Sequence, residues 1–225
     1  GSTDTSGDID ATVSANQAAG FSVVNYVPNG TASATVPHGL GVAPEMVFYK
    51  RYNSTSSWFC WTTLIDGSDD YLSLNTNAVK ENVSQAGGTS FTSSFIRATN
   101  YANNSEAVAY CFVSKPSFSK VGIYTGNGNA SGPFVNLGFK PAFVMVKRTD
   151  ATAYWTMFDN ARSPFNEVNK EVYANEPQAE TTSYKVDFLS NGFKFRNTGN
   201  DVNTNSGVYF YMAFAESPFK TANAR

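Results

Sequence analysis

Charged residues, histidine and cysteine are scarce in this chain of 225 residues, and each shortage excludes a class of chemistry. Charged residues make up 15% of the sequence and the formal net charge is −2, whereas an average globular chain is about 25% charged. A nucleic-acid-binding surface needs concentrated lysine and arginine, so no nucleic-acid partner is expected. One histidine, His38, and two cysteines, Cys60 and Cys111, are too few for the usual zinc site.

Long apolar runs are also missing. None reaches the roughly 18 residues that suggest a membrane-spanning helix, so we expect no membrane insertion. The chain is instead rich in aromatic residues, at 15%, and in the valine and threonine that favour β-strands. Turn clusters such as PNG, DGSDD and GNGNASG separate short strand-like segments. This alternation predicts antiparallel β-sandwiches. Residues 161–176 are the one plausible helical segment, of a turn or two, and EVYANE within it also has the signal of a strand.

The chain repeats itself at a spacing of 97 or 98 residues. Matched pairs include Phe21 with Phe118, Tyr26 with Tyr124, Pro44 with Pro141, Arg51 with Arg148 and Trp58 with Trp155. A repeat of about 100 residues is longer than the units of solenoids and propellers. It fits an internal duplication that produces two tandem domains of ordinary size.

The repeat predicts the domain organisation and the state of the thiols. Residues 1–19 have no evident hydrophobic period, so we interpret them as a linker or stalk end, followed by repeats at 20–116 and 117–225. Cys60 and Cys111 fall at non-equivalent positions of the first repeat, whereas a disulfide framework would recur in both copies. We predict two buried, unpaired thiols.

The repeated strings carry a resemblance. GFSVVNYVPNGTASATVPHGLGVAPEMVFYKR, with YLSLNT and AVAYCF after it, resembles the repeated C-terminal domain of bacteriophage tail fibre proteins, which are common in phages of marine bacteria. YTGNGNASGPFVNLGFKPAFVMVKRTD and YFYMAFAESPFKTANAR resemble the same domain. The resemblance implies lectin-like or SPRY-like (jelly-roll) sandwiches at the distal end of a fibre, on the virion and usually as a homotrimer.

This resemblance implies a receptor-binding protein rather than an enzyme. The expected partner is a bacterial surface glycan or an outer-membrane protein, bound for host recognition and adsorption. Two alternatives stay open. A polysaccharide depolymerase would need a pair of carboxylates in one cleft, and a structural capping or trimerisation tip would need no ligand.

Carbohydrate binding requires aromatic rings that stack on sugars and side chains that bond the hydroxyls. Trp58 and Trp155 recur at one repeat position, so we predict that both lie in the core. Trp61 and Tyr101 are not repeated as Trp and Tyr, since Phe158 and Asn200 stand at the repeat spacing. The candidate ligand-binding residues are therefore Trp61, Tyr101, Asn103, Asn104, Tyr52 and Asn53.

The remaining candidates are acidic residues and the lone histidine. The loop with Asp66, Asp69 and Asp70 could supply oxygens to Ca²⁺ but lacks the EF-hand spacing, so calcium is a weak candidate and no other cofactor is expected. A depolymerase would draw its carboxylates from this loop or from Asp159, Glu167 and Glu171. His38 lies among turn residues, and we predict a structural or surface role.

Overall fold

The structure is a computed structural model that describes residues 1–31, 33–83, 91–98 and 105–218. Eighteen strands and no helix are present within these ranges, and every strand pairing is antiparallel. The search for a helix long and apolar enough to cross a membrane found none in the described part of the chain. The prediction of an all-β, sandwich-like fold is confirmed.

The chain divides into two compact units. Unit 1 comprises Gly1–Ser73 with Glu81–Val113, and unit 2 comprises Leu74–Lys80 together with the chain from Ser114 onward. The main boundary therefore falls at 113/114, close to the 116/117 expected from the repeat. The sequence-based division placed residues 74–80 in the first repeat, whereas the structure places them in unit 2.

Ten strands form unit 1: β1 (Ser2–Asp4), β2 (Ala11–Asn16), β3 (Phe21–Tyr26), β4 (Thr35–Pro37), β5 (Met46–Arg51), β6 (Phe59–Thr62), β7 (Asp70–Ser73), β8 (Glu81–Asn82), β9 (Phe95–Arg97) and β10 (Ala107–Phe112). They build an eight-stranded sheet in the order β1-β2-β3-β10-β5-β6-β7-β8 and a two-stranded sheet, β4-β9. Val24 and Tyr49 of the large sheet share one apolar core with Val36 and Ile96 of the small sheet. The two sheets therefore pack as in a β-sandwich.

Residues 1–19 differ from the predicted linker. They contain β1 and β2, and β2 pairs with β3 along its whole length. Ile9, Ala11 and Val13 are buried in the core of unit 1, whereas Asp10 and Thr12 between them are exposed. This alternation is the period of a half-buried strand. It escapes a hydrophobicity-based inspection because Ala, Ser and Thr occupy most of its positions.

Eight strands form unit 2: β11 (Ser119–Thr125), β12 (Phe134–Asn136), β13 (Pro141–Arg148), β14 (Trp155–Asp159), β15 (Glu171–Tyr173), β16 (Val186–Leu189), β17 (Gly192–Phe195) and β18 (Val208–Ala215). One sheet has the order β11-β18-β13-β14-β15 and the other the order β12-β17-β16. Val144 and Tyr209 of the first sheet pack with Phe188 and Phe193 of the second in one core.

The two large sheets have corresponding strand orders. In unit 1 the order β3-β10-β5-β6-β7 places the last strand of the repeat between the first and the third, and in unit 2 β11-β18-β13-β14-β15 does the same. Unit 1 adds β2 and β1 beyond β3, whereas β11 is the last strand of its sheet among the described residues. The internal duplication itself stays a prediction from the sequence.

Two further expectations can be compared with the structure. Residues 161–176 form turns and the strand β15, and no helix, because β15 pairs with β14 and this non-local pairing decides the local conformation. Cys60 and Cys111 are buried and unpaired, as predicted. Burial raises the pKa of the Cys111 thiol to about 12, so this thiol stays protonated at neutral pH.

Candidate functional site

The register of the large sheet of unit 1 aligns four side chains from four neighbouring strands. Ala11, Tyr26, Ala107 and Arg51 stand opposite one another across β2, β3, β10 and β5. One position beyond each strand end, the same register places in a row the residues Asp10, Val27, Glu106 and Tyr52. Alternation of side chains along a strand turns this row away from the core, because Ala11, Tyr26 and Ala107 point into it.

This row lies in an open groove with a volume of about 620 Å³ that Asp10, Val27, Glu106 and Tyr52 all line. Thr12 and Asn25, which face each other one row further along the strands, add a hydroxyl and an amide to the groove. The groove therefore combines an aromatic ring, an apolar patch, three carboxylates and neutral hydrogen-bonding groups. All of them come from unit 1.

Tyr52 is the aromatic member of the row, and its backbone is held in place. Its N–H donates to the Glu106 carbonyl oxygen at 3.0 Å, which extends the pairing of β5 with β10 by one residue. The Tyr52 side chain is 55% exposed and that of Val27 is 49% exposed. A half-exposed ring on a backbone held in this way suits the stacking of a planar or sugar-like ligand.

The wall on the β2 side of the groove is pinned by reciprocal hydrogen bonds. Thr35 donates to Asp8 Oδ2 from its backbone N–H at 3.0 Å and from Oγ1 at 2.8 Å. The Asp8 N–H donates to Thr35 Oγ1 at 3.0 Å, and the Ile9 N–H donates to the Thr35 carbonyl at 3.1 Å. These bonds lower the pKa of Asp8, the backbone one most. The backbone of residues 8 and 9, directly before Asp10, is therefore held in place without a ligand.

The groove is acidic. Its lining includes Asp8, Asp10 and Glu106, and none of the lining residues in the described chain is a lysine, arginine or histidine. All three carboxylate residues are exposed. Asp8 is already engaged by Thr35, so Asp10 and Glu106 are the carboxylates available to a ligand.

Of the residues predicted to bind ligand that the structure describes, Tyr52 lines this groove. Asn53 follows it in the chain and is exposed outside the lining. Trp61 is only 6% exposed and packs against Tyr49, with ring centroids 5.1 Å apart. Its burial in the core leaves no free ring face for a sugar, so Trp61 is a core residue. Tyr101, Asn103 and Asn104 lie outside the described residues.

The two repeated tryptophans have different surroundings. Trp155 is buried, as predicted. Trp58 is half-buried, stacks on Tyr110 with centroids 6.2 Å apart, and has the Lys50 ammonium 5.8 Å from its ring centroid. Trp58 is therefore less buried than the predicted core position, and it is not among the residues that line the groove.

The acidic loop that was a weak calcium candidate does not form a metal cluster. Asp66 Oδ1 accepts hydrogen bonds from the Ser68 N–H at 2.9 Å and the Ser68 hydroxyl at 2.5 Å, and Asp70 is fully buried. The solvent exposure of Asp69 lies between that of the exposed Asp66 and that of the buried Asp70. Within the described ranges, no three His, Cys, Asp or Glu side chains are grouped so that they could hold a metal ion.

The three acidic residues considered in the second repeat are engaged in separate contacts. Asp159 Oδ2 pairs with Arg162 Nε at 2.6 Å, and Glu167 Oε2 pairs with Lys185 Nζ at 2.9 Å. Glu171 is buried and accepts from the Thr181 hydroxyl and the Ser183 N–H. Each carboxylate therefore fastens a loop or strand of unit 2.

His38 has a structural environment. It is fully buried, its Nδ1 accepts from the Leu40 N–H at 3.2 Å, and Nε2 lies 3.1 Å from the Thr92 carbonyl oxygen. These partners require a neutral ring with the proton on Nε2. Burial lowers the pKa of His38, which keeps the ring neutral at neutral pH. Both nitrogens are used, so His38 has no lone pair or proton for catalysis.

Sequence reasoning missed most of the groove. Asp10 and Thr12 lie in the segment interpreted as a linker, and Glu106 and Val27 lie one residue outside their strands. The alternation of Ile9, Ala11 and Val13 was the signal that could have identified β2 and placed Asp10 on its outer face. The alignment of the whole row depends on pairings between distant segments, which sequence periodicity does not give.

Comparisons with known proteins bear on the family and not on the groove. Neither the search of curated proteins nor the search of solved structures found a match to this chain. A protein-family model matches residues 1–218, almost the whole sequence. The chain therefore belongs to the family described as a domain of unknown function, DUF7483.

Proposed function

We propose that this protein is a non-enzymatic receptor-binding module that binds a bacterial surface glycan through the groove of unit 1. The resemblance of its two repeated segments to tail fibre domains supports a place at the tip of a bacteriophage fibre, on the virion. In that setting the module serves host recognition and adsorption, and a homotrimeric fibre presents several copies.

The observation that carries the proposal is the row of Asp10, Val27, Glu106 and Tyr52 along one groove. Sugars present apolar C–H faces and hydroxyl edges, so a ring for stacking beside carboxylate and amide oxygens is the matching set of groups. The alternative partner, an outer-membrane protein, normally requires a larger surface with an apolar centre. The exposed groove is polar except for Val27 and Tyr52, which favours the glycan.

A polysaccharide depolymerase is the alternative that this groove must be tested against, because it contains carboxylates. In glycosidases the general acid is a carboxyl group whose pKa is raised by an apolar enclosure. Asp8 has the opposite property, since its hydrogen bonds from Thr35 lower its pKa. Asp10 and Glu106 are exposed to solvent rather than enclosed. The groove is therefore better suited to holding a sugar than to cleaving it.

The test is binding of the purified protein to a panel of bacterial surface polysaccharides, with a reducing-end assay on the same samples. We expect saturable binding without new reducing ends. Tyr52→Ala removes the ring, and we expect it to weaken binding about tenfold or more, as loss of an aromatic anchor does. The matched control is Phe165→Ala in unit 2, which removes an aromatic side chain that is 83% exposed and should leave binding unchanged.

Other outcomes identify the competing functions. Release of new reducing ends that Asp10→Asn or Glu106→Gln abolishes would establish a depolymerase. Binding to host cells that survives removal of surface glycans but not protease treatment would identify a protein receptor. A capping or trimerising tip would bind neither polysaccharides nor cells, and would associate with copies of itself.

A further inference from the structure

The described residues that line the groove of unit 1 include carboxylates and no lysine, arginine or histidine. We propose that the groove selects sugars that carry a free, protonated amino group over N-acetylated and acidic sugars. This inference rests on the proposed function and names the ligand class of the same groove.

The charges that line the groove are unbalanced. Asp10 and Glu106 contribute two carboxylates to the row, and no cationic side chain of the described chain lines the groove to neutralise them. A uronic acid, sialic acid or phosphate group would meet like charge there, which costs binding energy. A protonated amine would meet opposite charge and could donate hydrogen bonds to either carboxylate.

The Glu106 and Asp10 carboxylates have different positions relative to the Tyr52 ring. Glu106 is the cross-strand neighbour of Tyr52, tied to it through the backbone hydrogen bond at 3.0 Å. A sugar that stacks on the Tyr52 ring therefore places its ring substituents next to the Glu106 carboxylate. Asp10 lies across Val27 from Glu106, two strand spacings or roughly 10 Å away. The two carboxylates can thus each receive an amine from different sugar units of one chain.

The backbone beside both carboxylates is held by hydrogen bonds. The hydrogen bonds of residues 8 and 9 to Thr35 fix the chain immediately before Asp10, and the hydrogen bond from the Tyr52 N–H holds the Glu106 carbonyl. Binding an amine therefore costs little ordering of the backbone. Because the carboxylates are exposed, each pair with an amine should be modest in strength and screened by salt.

The experiment compares two oligosaccharides that differ only at nitrogen. A fluorescent oligomer of β-1,4-linked glucosamine and its fully N-acetylated counterpart are titrated with the protein at low and high salt. We expect the deacetylated oligomer to bind about tenfold more tightly, with the preference shrinking at high salt. The preference should also fade as the pH rises through the pKa of the sugar amine.

Isosteric substitutions assign the effect to the groove. Asp10→Asn and Glu106→Gln should each weaken binding of the deacetylated oligomer about threefold, and together about tenfold, without affecting the N-acetylated oligomer. The matched control, Glu180→Gln, removes an exposed carboxylate of unit 2 that pairs with Arg162 and Lys170, and should change neither affinity. Circular dichroism verifies that each variant is folded.

A charge reversal gives a gain of function. The double variant Asp10→Lys and Glu106→Lys should bind an acidic oligosaccharide such as oligoalginate, which the unmodified protein rejects. A loss of stability could not produce this new binding, since an unfolded variant would not bind the acidic oligosaccharide specifically.

Failure of this inference is distinguishable from failure of the proposed function. Equal affinity for both oligomers, both lost in Tyr52→Ala, would overturn the amine selectivity and leave glycan binding standing. Binding of other polysaccharides but of neither oligomer would also overturn the amine selectivity and leave glycan binding standing. Absence of Tyr52-dependent binding to every glycan in the panel would overturn both.

Discussion

Asn203 shows how one buried amide can organise several loops of unit 2. It is fully buried, and its Nδ2 lies within hydrogen-bond distance of Asn127 Oδ1, at 3.2 Å, and of the carbonyls of Asn129 and Asn197, both at 2.8 Å. Its Oδ1 accepts the Asn127 N–H at 2.8 Å. The loop with Asn127 and Asn129 and the segment with Asn197 share this one side chain because backbone groups excluded from water need a partner.

We expect Asn203→Ala to lower the free energy of unfolding of unit 2 by about 2–4 kcal/mol, because it strands several buried polar groups. Chemical denaturation followed by tyrosine and tryptophan fluorescence measures the change. Asn205→Ala, at an exposed position two residues away, is the matched control and should change stability by less than about 0.5 kcal/mol. Equal effects of the two substitutions would show that Asn203 is not the organising residue.

Lys147 is a second buried polar residue of unit 2. Its side chain is fully buried, and its ammonium donates to the Arg148 carbonyl at 2.7 Å and lies 3.4 Å from the Asn77 carbonyl. Burial lowers its pKa to about 8, below the roughly 10.4 of an unfolded chain. Between these values the unfolded state binds more protons than the folded state, so stability rises with pH.

Comparison with Lys147→Met isolates this contribution. We expect the difference in unfolding free energy between the unmodified protein and the variant to grow by about 2 kcal/mol in favour of the unmodified protein from pH 8 to pH 10. Thermal or denaturant unfolding at several pH values measures it. Lys185→Met, at an exposed lysine, should give a difference that does not change with pH. A flat difference for Lys147→Met would mean that the ammonium is not desolvated.

The segment Leu74–Lys80 is the element that makes unit 2 discontinuous. The Lys80 N–H donates to the Thr149 carbonyl at 2.9 Å, and the Ala153 N–H donates to the Asn77 carbonyl at 3.0 Å. With the Lys147 contact, this segment supplies backbone partners to polar groups of β13 and the turn after it. The fold of unit 2 therefore depends on residues that precede most of it by a long stretch of chain.

Replacing residues 74–80 by Asn-Gly closes the β7–β8 connection with a short turn and removes these partners. We expect unit 2 to lose about 2–3 kcal/mol, from hydrogen bonds worth about 1 kcal/mol each, while unit 1 keeps its stability. Hydrogen exchange of individual amides separates the two units: protection should fall in β13 and β14 and persist in β3 and β10. Uniform loss of protection in both units would contradict this.

The elements differ in how far the sequence could predict them. Strands such as β5, β13 and β18 are rich in Val, Phe, Tyr and Met, so their hydrophobicity identified them. β2 has small and polar residues on both faces and could be recognised only through its alternation. The helical turns considered over 161–176 are absent, whereas the strand signal of EVYANE within that stretch is confirmed by β15, which pairs with β14. Tyr52 could be proposed from its type and neighbours, whereas the row it belongs to arises from register.

On the scale of the whole molecule, the chain carries little charge, and the proposed binding site is an open groove of unit 1. A single open site of this kind binds weakly, since its groups are half-exposed and its pairs are screened. Strength would have to come from several copies presented together, as in the proposed homotrimeric fibre. Linked sites gain affinity from effective concentration without any new contact.

We expect deliberate multimerisation to reproduce this gain. Coupling the biotinylated protein to streptavidin should raise the apparent affinity for immobilised polysaccharide about 100-fold over the monomer, within the range for linked sites. Surface plasmon resonance at high and low glycan density measures the effect, which should vanish at low density. Multimers of Tyr52→Ala are the control and should gain far less. A density-independent affinity would argue that each copy binds tightly alone.

The discontinuity of unit 2 also has a consequence for synthesis on the ribosome. Lys147 lies 70 residues after Asn77, so at synthesis rates of about 5–20 residues per second the segment 74–80 emerges several seconds before its partners. During that interval unit 1 can complete its sheet on both sides of the segment, since all of its residues precede Ser114. The later half of the protein then folds onto a piece of chain made much earlier. A substitution within 74–80 would therefore impair the folding of unit 2, most of which is translated after that segment.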